Sequence, residues 1–168
     1  MTEEELSNEQ RWPGVGVAFT LIQPSYAQVV QRIDAQEARI RAIMTFATTG
    51  TFAVLAFLTG PLNRRDFVSW WFFVGVAVYV VLMVLGVASA AFTETRLLDP
   101  NKVYDTMLGL SEWEFKQVAI ALAGDDFSAN RNTAARLGLV FLAMAILMAL
   151  EMACLIGWSV QASTVPLP

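Results

Sequence analysis

The sequence predicts an all-α integral membrane protein: three transmembrane helices, a cytoplasmic amino-terminal helix and a short helical cytoplasmic loop region. Three observations predict it. Of 168 residues, 56% are hydrophobic and 15% charged, against about 45–50% and about 25% in soluble domains. The apolar residues cluster into stretches at 42–62, 67–92 and 137–160, each long enough for the roughly 20 residues that cross a hydrocarbon core of about 30 Å. The basic residues are also asymmetric. In a three-span chain Arg11, Arg32, Arg39, Arg41, Arg96, Lys102, Lys116, Arg131 and Arg136 share one side, and Arg64 and Arg65 hold the other. The positive-inside rule then puts the amino terminus in the cytoplasm and the carboxyl terminus outside.

Residues 1–24 are expected to be a flexible or surface-lying segment. The start, MTEEELSNEQRWPG, is acidic and polar, whereas a secretory signal is basic and runs straight into an apolar core; the first span is expected to stay in the mature protein. Gly14 to Ile22 is apolar but too short to span, and reads as a short strand or surface segment. Its Gly14-Val15-Gly16 lacks the third glycine and flanking elements of a dinucleotide turn.

Pro24-Ser25 reads as a helix start, with Ser25 as the cap. The helix over 25–41 is amphipathic: Tyr26, Val30, Ile33, Ile40 and Met44 follow steps of three and four, with Glu37 in the polar slot. Either it lies on its own protein or it is a seam between subunits. Glu37 precedes Arg41 by four, the favourable order for a surface pair. No proline or glycine cluster intervenes before the first span, 42–62, which is rich in small and hydroxylated residues. Thr48, Thr49 and Thr51 read as helix-packing groups or as the lining of a watery path.

Asn63 to Asp66 forms a polar turn. The second span, 67–92, opens on Trp70 and Trp71, expected as interface anchors. Residues 93–136 read as a cytoplasmic helical region. Asp99-Pro100 starts one short helix that stops at Gly109. Ser111-Glu112-Trp113-Glu114 is a capping box for a second, expected to stop at Gly124. Asp125-Asp126 breaks the chain again, and Ser128 or Asn130 caps the helix that becomes the third span, 137–160. Residues 161–168 form an external tail.

The third span carries the most informative pattern. Ala145, Ala149, Ala153 and Gly157 make a file of small residues suited to close helix packing. Nearly opposite lies Glu151, an acid about 13 Å deep by helical rise. A buried acid faces protein or water; the expected partner is Thr48, Thr49 or Thr51, with a candidate ion path as the sharper reading. Trp158 is expected at the outer interface with Trp70 and Trp71. Two demanding faces on one helix argue for neighbours beyond the chain's own spans.

Several classes are disfavoured. There is no histidine, the usual ligand for zinc or haem and the usual base near neutral pH, so no cofactor, no metal site and no enzymatic activity are expected. The single cysteine, Cys154, allows no internal disulfide. The net charge is −4 with no basic run, so no nucleic-acid partner is expected. The expected partners are the lipid bilayer and other membrane subunits or further copies of the chain, in a bacterial inner (cytoplasmic) membrane. The leading functional reading is a non-catalytic accessory subunit or scaffold within a larger membrane complex or homo-oligomer. The alternative is an oligomeric pore gated through its cytoplasmic region. The order helix, span, span, cytoplasmic helices, span resembles small bacterial membrane effectors of nucleotide-signalled phage defence, the SLATT and Pycsar membrane groups. That resemblance covers layout only, implies the pore reading, and carries over no residue.

Overall fold

A computed structural model describes residues 12–59, 69–91, 93, 95–96, 107 and 109–164. Among them are three long helices, α1 Val15–Thr59, α2 Trp70–Ala91 and α3 Glu112–Thr164, and no strand. Each is long and apolar enough to cross a membrane. The Asn63–Asp66 turn, the Asp99-Pro100 helix and the tail residues 165–168 lie outside the described residues.

Helix α1 starts ten residues earlier than Pro24-Ser25 suggests. Its first turn is closed by Val15 N–H to Trp12 O (3.3 Å) and Ala18 N–H to Gly14 O (2.9 Å). Pro13 stands at that start, where proline's missing N–H costs nothing. Pro24 is instead interior, where it removes the backbone donor that would serve Thr20. Ser25 does not cap; its hydroxyl donates back to Leu21 O at 3.0 Å. Gly14 to Ile22 is accordingly not a strand or a separate surface segment but the first turns of α1.

The capping box at Ser111 forms as the sequence predicts. Glu114 N–H donates to Ser111 Oγ (3.3 Å) and Ser111 N–H to Glu114 Oε2 (3.0 Å). The expected breaks beyond it do not occur: α3 runs through Gly124 and Asp125-Asp126 without interruption. An interior glycine costs only about 1 kcal/mol. Ser128 Oγ donates back to Asp125 O at 2.9 Å, as a hydroxyl inside a helix does, so neither Ser128 nor Asn130 is a cap.

The described residues fall into two compact units, one within 1–34 and 94–135, the other within 35–93 and 136–168. In the first, Asn130 is fully buried. Its amide grips both backbone groups of one residue in the α2–α3 connection: Oδ1 accepts from Arg96 N–H (2.9 Å) and Nδ2 donates to Arg96 O (2.8 Å). Tyr26 Oη donates to the same carbonyl. The seam position Ile33 is buried in this unit, at 0% exposure, and Ile40 in the second, at 3%; the predicted Glu37–Arg41 pair, also in the second unit, forms at 2.9 Å.

In the second unit glycines set the spacing of the helices. The buried face of α2 is Gly75, Leu82 and Gly86, one stripe at helical spacing. A Cβ built on Gly86 would lie 2.5 Å from Met44 Sδ and 3.1 Å from Met144 Cε. One on Gly50 of α1 would lie 2.5 Å from Met152 Cε, and Gly75 faces Cys154 at 3.5 Å. At Gly50 and Gly86 unbranched methionines fill the space that the missing side chain leaves.

Candidate functional site

The site is built in the second unit around Glu151, whose side chain is completely buried. A charged side chain is rarely enclosed this way without a partner. α3 turns its face of Met144, Glu151, Cys154, Leu155, Trp158 and Ala162 inward, positions that follow the helical repeat. α1 meets it with Thr51, 8% exposed. Glu151 Oε1 and Thr51 Oγ1 are hydrogen-bonded, and Thr51 Oγ1 also lies 2.8 Å from Ala47 O. Glu151 Oε2 is buried with no hydrogen-bond partner among the described residues.

One turn earlier on α1 a second polar contact repeats the pattern. Thr48 Oγ1 donates to Met44 O (2.8 Å) and accepts from Tyr79 Oη of α2 (3.1 Å). A tyrosine hydroxyl inside an apolar run needs such a partner, and that signal marks Tyr79 in the sequence.

Of the three threonines expected to face Glu151, Thr51 reaches it, Thr48 reaches Tyr79 and Thr49 is exposed. Compared with known protein families, curated proteins and solved structures, the chain matches none. What the site can do therefore rests on its own geometry. Among the described residues no three of His, Cys, Asp and Glu converge in a way that could hold a metal ion.

The file of small residues does not bind this unit together as a whole. Ala149 and Ala153 are exposed and Ala145 is half-buried. Gly157 receives a large side chain: the Trp71 ring lies 3.4 Å from where a Cβ on it would stand. The acid-bearing face takes the inward position because it also holds Met144, Leu155 and Trp158, which bury more apolar area than alanines do. Trp158 is likewise not presented outward as an interface anchor. It is 4% exposed and lies against Phe72, ring centroids 4.8 Å apart, beside Leu155 and Ala162. Trp70 and Trp71 are exposed, at 76% and 46%.

Proposed function

We propose that this chain is a three-span integral membrane protein that acts as a non-catalytic subunit or scaffold, packing within a larger membrane complex or a homo-oligomer. In this reading it resides in a bacterial inner membrane with its amino terminus in the cytoplasm and its carboxyl terminus outside. One observation carries the reading. α3 uses its acid-bearing face inside the chain and leaves Ala149 and Ala153 on the outside. In lipid the driving force between helices is close packing, and small residues are what permit it. Leu142, Ile146 and Ile156 flank them and are also exposed, so the outward face combines a shallow groove with bulky ridges, the relief that a neighbouring helix fits.

The pore reading has less support, because Glu151 is buried and bonded to Thr51 inside the unit and Thr49 is exposed. The test is extraction from membranes in a mild detergent or native nanodisc, followed by mass measurement. A discrete assembly larger than the 18.5 kDa chain is expected, and Ala149→Leu with Ala153→Leu should dissolve it. A lone chain under all extraction conditions overturns the proposal.

A further inference from the structure

Thr51 Oγ1 carries one hydrogen and has two neighbours that accept, the Ala47 carbonyl oxygen at 2.8 Å and Glu151 Oε1. An ionised carboxylate only accepts, and a hydroxyl donates once. With Glu151 ionised, one of these two contacts would set acceptor against acceptor. Glu151 Oε2 adds a second, independent observation: it is buried and no donor among the described residues reaches it.

The three apolar stretches themselves supply no compensating cation. Glu151 is the only Asp, Glu, Lys or Arg in the stretches 42–62, 67–92 and 137–160. The other titratable side chains in those stretches are Tyr79 and Cys154; Tyr79 is engaged with Thr48, and Cys154 is buried on α3 itself. A carboxylate here would be a buried charge with one orphaned oxygen, which costs far more than an orphaned neutral carbonyl.

We propose that Glu151 is a proton-binding site, with a hydrogen on Oε1 that is donated to Thr51 Oγ1, which in turn donates to the Ala47 carbonyl. Every contact then has one donor and one acceptor, and Oε2 is the neutral carbonyl oxygen of the acid. The Tyr79–Thr48–Met44 contact repeats the same order of donation one turn away. The proton is a structural ligand. It joins α3 to α1 with no charge, and removing it would leave two acceptors facing each other in the middle of the helix contact. The assignment holds whether or not the chain assembles with others.

The test is infrared spectroscopy of the full chain in lipid nanodiscs at neutral pH. A protonated carboxyl gives a C=O band separate from the carboxylate bands, and that band moves on exchange into D2O. The wild-type protein should show such a band, and Glu151→Gln should remove it. Thr51→Val, which keeps the shape and removes the acceptor, should retain the band and move it to higher wavenumber. Absence of the band in the wild type overturns the proposal without requiring any variant to fold. A band that survives Glu151→Gln, or that Thr51→Val leaves in place, also overturns it.

Discussion

Asn130→Ala tests the hydrogen-bonded grip on the α2–α3 connection. The substitution removes two hydrogen bonds, at 2.9 and 2.8 Å, from a side chain with no exposed surface. Each is worth about 0.5–1.5 kcal/mol net, and leaving a buried donor unpaired adds to the loss. Arg96 is itself exposed, so water replaces part of what is removed, and its carbonyl keeps the Tyr26 hydroxyl. The expected cost is about 2 kcal/mol, roughly 30-fold in the local opening equilibrium. Hydrogen exchange at the Arg96 amide reads this directly, because that N–H donates to Asn130. Tyr26→Phe alone should change the exchange by less, since Asn130 Nδ2 still serves the carbonyl. The double variant should lose more than the sum, because both donors share one acceptor. Unchanged exchange at Arg96 in Asn130→Ala, or strict additivity in the cycle, would refute the reasoning.

Gly86→Ala should destabilise the chain by about 1–3 kcal/mol in a detergent melt, as overpacking does. The new Cβ meets Met44 Sδ at 2.5 Å, Met44 Cγ at 3.0 Å and Met144 Cε at 3.1 Å. Gly50→Ala should cost less, because it meets only the far end of Met152, Cε at 2.5 Å and Sδ at 3.5 Å; the reverse order would contradict the packing described. At the start of α3, the Ser111 backbone N–H and then its hydroxyl hold the Glu114 carboxyl below the usual carboxylate range, and Lys116 does the same for Glu112. A lowered folded value means stabilisation that is complete above the ordinary range and is lost as the pH falls from there through the lowered value. The Phe115 amide, bonded to Ser111 O at 2.8 Å, should therefore lose protection, measured against its intrinsic exchange rate at each pH, as the solution is acidified, and Glu112→Gln with Glu114→Gln should abolish that dependence. For orientation, a reporter active only outside the cytoplasm and fused after residue 168 should be active; silence there would count against three spans.

The three helices are legible in the sequence because apolar stretches of spanning length, bounded by charge, admit few other structures. The capping box at Ser111–Glu114 is legible because both partners lie within one turn and need no tertiary context. The start of α1 is not, because Pro13 and Pro24 are both acceptable first-turn residues, and only the packing of the early helix decides between them. The continuity of α3 through Gly124 is hidden for the same reason: a penalty of about 1 kcal/mol is easily overridden by the rest of a long helix. At the site, an acid inside the third apolar stretch is evident, and so are the threonines of the first. Which threonine meets it depends on the rotation of α1 about its own axis. Gly50 facing Met152 sets that rotation, and no local pattern in either segment specifies it. The inward turn of Trp158 follows likewise from its pairing with Phe72, a contact distant in sequence.

The most direct test of the outward face of α3 is cysteine cross-linking in intact membranes. In a Cys154→Ser background, Ala149→Cys and Ala153→Cys should each trap a discrete higher-mass product, whether with a second copy or another subunit. A cysteine at Phe46, also exposed (69%) but on α1, should not trap that product. Products of equal yield at all three positions, or none at 149 and 153, would contradict the proposal that this face is where the chain meets its neighbour.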